Sequence, residues 1–351
     1  MKKTVALLAV LVVLVIAAVG IGGRIVLGRI NDPYKGYEGQ EQFVEIPQGA
    51  GTSDIRRRLI EAGVVRDEFA FRAALRWTGQ AQSLQAGEYR FDRPMSAAEV
   101  IDKIARGDVH ARRLTFPEGL TIREMARLYE SREFGEAGAF TEAAANASLI
   151  RDLDPEAPDL EGYLFPETYA LPRGTPASRL IAMMVNRFRA SYTEELQRRA
   201  KDRGMTTREV VALASLVEKE TGKEEERRLV AAVYTNRLRI GMGMQADPTV
   251  VYALQKAGRY DGNIRREDLA FDSPYNTYKH AGLPPGPIAS PGEASLRAAL
   301  DPADVKYLYF VSRNDGSHVF AETLAEHNAN VHEYQVLYFR RQREAQGNGT
   351  R

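Results

Sequence analysis

The sequence predicts an α+β protein that opens with a single transmembrane helix, continues through small α/β modules and ends in a mainly helical domain with a β-hairpin. Three observations carry that expectation. Thr4 through Gly23 holds no charge. Segments starting at Phe43 and Leu114 alternate like strands and run into amphipathic helices. From about Pro176 the apolar residues recur at helical spacing, until an Asn-Asp-Gly turn between two strand-like runs near the end. At 351 residues there is room for two or three domains, and 27% charged with 44% hydrophobic residues is an ordinary globular balance.

The uncharged stretch is about 20 residues, enough to cross a bilayer, and Lys2 and Lys3 precede it. A secretory signal has a shorter apolar core, so although Ala17-Ala18-Val19-Gly20 resembles a cleavage site, the length favours an uncleaved anchor over residues 1–23. Basic residues stay on the cytoplasmic side, which places the rest of the chain outside the inner (cytoplasmic) membrane, against a weaker opposing bias from Arg24 and Arg29. ATP, pyridoxal phosphate and nicotinamide cofactors are not expected there, and the protein is expected to use no cofactor. A net charge of +1 gives no reason to expect nucleic acid. The absence of cysteine excludes disulfides, Cys–zinc sites and thiol nucleophiles; His110, His280, His318, His327 and His332 show no ligand spacing, so no metal is expected.

A linker over 24–42 leads to a strand at Phe43–Ile46, then a helix capped by Ser53 that carries Ile55, Leu59 and Ile60 and ends at Gly63. A helix from Glu68 to Trp77, a strand over Gly87–Phe91 and a helix opened by the Ser96/Glu99 capping box complete a module at 43–110. The segment 111–158 repeats its opening: IPQGAGTSDIRRRL is echoed by FPEGLTIREMARL, each a Pro-x-Gly turn entering an amphipathic helix. These units resemble the LysM module, which implies binding of glycan chains rich in N-acetylglucosamine; the alternative is a spacer that holds the next domain off the membrane.

The last domain is expected over 159–345, with a disordered tail at 346–351. Leu160–Tyr169 sets aromatic residues beside Glu161 and Glu167, and Pro166 prevents a regular helix. A helix from about Pro176 to Arg203 is predicted, then one that starts with the Thr206/Glu209 capping box and is stopped by Gly222. Val210, Val211, Leu213, Ala214, Leu216 and Val217 cover most of its circumference, the pattern of a core helix, yet it ends in Glu218-Lys219-Glu220. Glu220 continues the stripe of Leu213, Leu216 and Val217; Glu218 continues that of Val211, Ala214 and Ser215. Desolvation and the negative end of the helix dipole favour a protonated carboxyl there, and so a general acid. The alternative is a solvated turn that keeps the helix soluble. An amphipathic helix through Leu229, Val230, Val233, Tyr234 and Leu238 leads to the tight loop Gly241–Gln245 and a helix starting at Asp247-Pro248. Ser273–Gly292 is too rich in Pro and Gly for helix or central strand and too aromatic for disorder. Its Tyr275, Asn276 and Tyr278 suit a sugar, offering flat apolar faces and an amide.

The runs ASLVEKETG (Ala214–Gly222), RLVAAVYTNRLRIGMGMQADPTVVYAL (Arg228–Leu254), SPYNTYKHAGLPPGPIASPGEASLRAAL (Ser273–Leu300) and YLYFV (Tyr307–Val311), with the anchored start, resemble the YceG-like family of endolytic murein transglycosylases over nearly the whole chain. The resemblance implies a lysozyme-like catalytic domain that cleaves the β-1,4 bond between N-acetylmuramic acid and N-acetylglucosamine within peptidoglycan strands, leaving 1,6-anhydromuramyl ends. It also implies synthase partners such as penicillin-binding proteins. Lytic transglycosylases more distantly similar place their acid in a Glu-Ser pair at a helix end, which Glu220-Thr221 matches and Glu218-Lys219 does not. Glu220 is therefore the implied acid and Glu218 the fallback. A Gly-Leu-Met-Gln loop of those enzymes has a shortened counterpart in Gly243-Met244-Gln245. Gln245, Tyr275, Asn276, Tyr278, Tyr163 and Glu167 are the residues expected around the glycan. A non-catalytic glycan-binding scaffold is the alternative; a pyridoxal-phosphate lyase built on Lys219, a label similar sequences have carried, conflicts with the anchor.

Overall fold

A computed structural model describes residues 2–347, so most of the tail expected at 346–351 lies outside the described residues. The chain divides into two compact units, residues 1–113 with 170–174, and residues 114–169 with 175 to the end.

In the first unit, α1 (Lys2–Asn31) is exposed from Val10 to Leu27 and long and apolar enough to cross a membrane. Only its last turn enters the unit, with Ile30 2% exposed. The helix thus continues into the expected linker. β1 (Gln42–Ile46) pairs antiparallel with β2 (Gly87–Phe91), Val44 facing Tyr89. The two-residue period sends Val44, Ile46, Tyr89 and Phe91 inward. Against them pack Ile55 and Leu59 of α2 (Thr52–Glu61), Phe71 and Ala74 of α3 (Glu68–Thr78), and Val100, Ile101 and Ile104 of α4 (Ala97–Ala105). The Ser96/Glu99 capping box forms as predicted, whereas α2 is capped by the extended backbone of Gly51 and not by Ser53, which sits inside the first turn.

β3 (Ala111–Thr115) pairs with β4 (Thr168–Pro172), and the chain passes between the units along these strands. The repeated pattern is completed by α5 (Ile122–Ser131), opened by a Thr121/Glu124 capping box, and α6 (Ala137–Ala144). The packing does not change at the expected 158/159 division: Leu114–Tyr169 belongs to the same unit as the helices that follow, and the Leu160 N–H donates to the Ala144 carbonyl at 3.0 Å.

The single helix expected over 176–203 is two, α7 (Ala177–Ser191) and α8 (Glu194–Asp202). Tyr192 leaves helical geometry with ψ 68 while its ring stacks on Phe188, and the Thr193 hydroxyl starts a new cap. α9 (Thr207–Glu220) is buried at every position from Val210 to Val217. It packs against α8, α10 (Glu224–Arg239), α11 (Asp247–Lys256) and α12 (Glu293–Leu300). It ends because Thr221 turns extended, φ −139 and ψ 133; Gly222 does not adopt the left-handed stop predicted for it. The predicted hairpin is β5 (Tyr309–Ser312) and β6 (His318–Ala321), with positive φ at Asn314 and Gly316 in its turn. α13 (Leu324–Val331) and α14 (Tyr338–Gly347) follow.

Candidate active site

The core helix α9 delivers two carboxyls to its last turn, and they leave it in different directions. Glu218 Oε2 accepts the Gly292 N–H at 3.0 Å, and Oε1 lies 3.6 Å from Arg227 Nη2; its side chain is 6% exposed. Gly292 is the residue before α12, and a Cβ there would come 1.8 Å from Glu118 Oε1, so a larger residue at this position would push the Glu118 carboxyl aside. Burial, and then the Glu218 charge, push the Glu118 pKa up. Lys219 donates to the Gly119 carbonyl at 3.1 Å.

Glu220 faces a cleft of about 420 Å3, within the range of roughly 300–1,000 Å3 typical of ligand sites. The cleft is shared with Tyr234 and Arg237 of α10, Gln245 of the short loop, Asp247 at the start of α11, Tyr278, Tyr309 of the hairpin and His327 of α13. The Tyr234 hydroxyl donates to Glu220 Oε1 at 2.7 Å. Burial pushes the Glu220 pKa up and the Asp247 charge adds to it, while the Tyr234 hydrogen bond, His318 and Arg237 act the other way; the balance is a raised value. Burial and the Glu220 charge drive the Tyr234 phenol far up, so it remains a donor.

Three devices hold this geometry. Arg237 donates to the carbonyls of Met244 and, at 2.6 Å, Leu308, clamping the 241–245 loop and the hairpin to α10. That fixes Gln245 in the left-handed region, φ 48. The Tyr278 hydroxyl donates to Asp247 Oδ1 at 2.6 Å. Beyond α9, Glu226 accepts from the Thr221 hydroxyl at 3.1 Å and the His318 N–H at 2.8 Å, and its Oε2 meets His318 Nδ1 at 2.7 Å. Burial pushes Glu226 up, yet His318 holds it below the ordinary carboxylate value. In the cleft, His327 stacks on Tyr309, and its Nδ1 is shielded without a hydrogen-bond partner among the described residues. Burial and then the Arg237 charge lower its pKa, which favours the neutral ring.

Of the expected glycan contacts, Gln245 and Tyr278 line the cleft with Glu220; the other four do not. Asn276 is fully buried, its amide donating to the carbonyls of Leu269 and Phe271 and accepting from the Tyr278 N–H, so it builds the loop. Tyr163 is buried and donates to Asp154 at 2.6 Å. Glu167 is spent on an ion pair with Arg187. Tyr275 packs on Tyr252, ring centroids 4.8 Å apart. Sequence reasoning missed Tyr234, Arg237, Asp247 and His327. Tyr234 had a signal, a phenol on an otherwise apolar stripe; Asp247 reads as a helix start and nothing more.

A second cavity, about 400 Å3, holds Glu161 beside Asp159, Tyr252 and Lys256. Glu161 accepts the Ile122 N–H at 3.0 Å, and burial raises its pKa to about 8.

An α+β protein whose cleft is built around a shielded carboxyl at the end of a core helix is a protein made for acid–base work. The profile of the YceG-like family matches residues 44–333, and the chain belongs to that family. It is 33% identical over 331 residues to a Bacillus subtilis (strain 168) protein named endolytic murein transglycosylase, covering 90% of this chain and 91% of that one. It is 30% identical over 323 residues to a Streptococcus pneumoniae (strain D39) protein of the same name, covering 83% of this chain and 58% of that longer one. The crystal structure of a YceG-like protein from Listeria monocytogenes matches with a TM-score of 0.56 at 31% identity, covering 83% of this chain and 98% of that one.

Proposed function

We propose that this protein is a membrane-anchored endolytic transglycosylase that cuts MurNAc-β-1,4-GlcNAc bonds within peptidoglycan strands, ending them as 1,6-anhydroMurNAc and so terminating strand growth. The observation that carries this reading is the Glu220–Tyr234 pair in an open cleft, taken with the named relatives. Glu220, kept inclined toward protonation, donates to the glycosidic oxygen as the bond breaks through an oxocarbenium-like state. As a carboxylate it then removes the proton of the muramyl C6 hydroxyl, whose oxygen closes on C1. Because that nucleophile belongs to the same sugar, effective molarity replaces the water-activating second carboxylate of ordinary glycosidases. Gln245 and Tyr278 are the polar contacts for the sugar, and the stacked rings of Tyr309 and His327 form a wall of the cleft beside them.

In this reading residues 1–23 anchor the chain in the inner membrane with the remainder outside, the LysM-like module at 43–110 holds the strand, and the lysozyme-like part lies within 159–345. Penicillin-binding proteins are the proposed synthase partners. The test is mass spectrometry of peptidoglycan digested by the purified chain. Shorter strands that end in 1,6-anhydromuramyl residues are expected, and reducing ends alone would overturn the reaction.

A further inference from the structure

At the outer end of α1 lies a recess of about 340 Å3, walled by Ile21, Arg24, Ile25 and Arg29 of that helix, by Asp32 just past it and by Arg66 before α3. Arg29 is committed to an ion pair with Asp67. Arg24 and Arg66 are exposed and have no carboxylate at ion-pair distance among the described residues. Arg66 lies over the Tyr34 ring, 5.1 Å from its centroid, and Tyr34 is itself fixed by backbone hydrogen bonds to Met95. The guanidinium is therefore held in place without being neutralised. Three arginines against Asp32 and Asp67 leave the recess positive, over the apolar side chains of Ile21 and Ile25.

Depth gives this chemistry its meaning. The uncharged stretch closes at Gly23, so Arg24 is the first charge on the far side of the apolar segment. At about 1.5 Å per residue, Arg29 lies only some 7.5 Å farther along the axis. That places the guanidiniums where phospholipid phosphates sit. Since Ile30 is part of the core of the first unit, α1 is rigidly joined to that unit at this point.

We infer that this recess binds the phosphate of an anionic phospholipid in the outer leaflet, with Arg24 and Arg66 as its ligands and Ile21 and Ile25 against the acyl chains. Guanidiniums bind phosphate oxygens through paired, charge-assisted hydrogen bonds, and basic recesses beside a membrane span select anionic headgroups. The inference rests on the anchor proposed above.

Native mass spectrometry of the full chain in detergent, with phosphatidylglycerol and phosphatidylcholine added in equal amounts, tests it. Phosphatidylglycerol is expected to be retained in preference. The R24Q/R66Q double variant should weaken that binding about 30-fold, at about fivefold per arginine. Arg106→Gln, on the far end of α4, should leave it unchanged. Equal retention of both lipids, or retention by the double variant matching the parent, would overturn the site. Retention of inorganic phosphate by a chain that retains neither lipid would overturn the lipid as its ligand. Vesicle flotation separates the two readings: a chain that floats with neither lipid refutes the anchor, whereas one that floats equally with both and shows no headgroup preference refutes only the recess.

Discussion

Glu218 and Glu220 stand two residues apart in the same helical turn, and the structure gives them opposite surroundings. Glu218 is enclosed by donors that suit a carboxylate, a backbone N–H and a guanidinium, and it locks the start of α12 to the end of α9. Among the described residues Glu220 has one donor, the Tyr234 hydroxyl, and otherwise it faces a cleft. Burial alone therefore does not make an acid; what matters is how fully the charged form is supplied with partners and whether a substrate can reach the proton. Glu161 sharpens the point from the other unit-forming segment of the same half of the molecule. Its pKa is raised to about 8, yet it is tied to the first turn of α5.

The largest effect should separate the two neighbours outright. Glu220→Gln is expected to lower turnover by about 10²–10⁴-fold, the usual worth of a general acid, while leaving the melting temperature nearly unchanged. If anhydromuramyl release persists at the parent rate, Glu220 is not the proton donor. Next in size is the pH dependence of folding. Glu161 holds its proton in the folded state up to about pH 8, whereas the unfolded chain releases it near 4.5. A raised folded pKa stabilises fully below the lower value and loses that stabilisation as pH rises, so stability should fall between about 4.5 and 8. The slope for this one proton is at most about 1.4 kcal/mol per pH unit. Glu161→Gln should flatten the decline in melting temperature over that window, and an unchanged decline would mean that other groups cause it. Smaller again, Glu218→Gln should cost about 1–3 kcal/mol of stability by stripping Arg227 and the Gly292 N–H of a charged acceptor, with turnover per folded molecule retained. A stable but inactive Glu218→Gln would reverse the assignment of the two glutamates.

Much of this was legible in the chain. The capping box and all-round apolarity of α9 are local signals, and the stripe geometry already set Glu220 among larger neighbours than Glu218. Beyond Gln245 and Tyr278, what surrounds Glu220 was not legible, because Tyr234, Tyr309 and His327 arrive from three separate segments, and only tertiary packing brings them together. Asn276 misled for a related reason: in a loop without regular hydrogen bonding, an amide is as useful to its own backbone as to a ligand, and here Leu269 and Phe271 take it. The break at Tyr192 was hidden because the apolar spacing runs through it, and a Thr cap is too common a residue to announce a stop.

The finest test of the comparison acts on the Tyr234 hydroxyl that donates to Glu220. The Tyr234 hydrogen bond favours the charged carboxylate, so Tyr234→Phe should raise the Glu220 pKa further. In the proposed reaction the first step needs the protonated form, so activity is lost as pH rises through that pKa. The alkaline limb of kcat/KM should therefore move to higher pH in the variant. A residue that merely packs against α9 would lower the melting temperature and leave the limb where it was. A limb that shifts downward would mean that the phenol supports the protonated acid, and Glu220 would then be poised by its partner in the same way as by its burial.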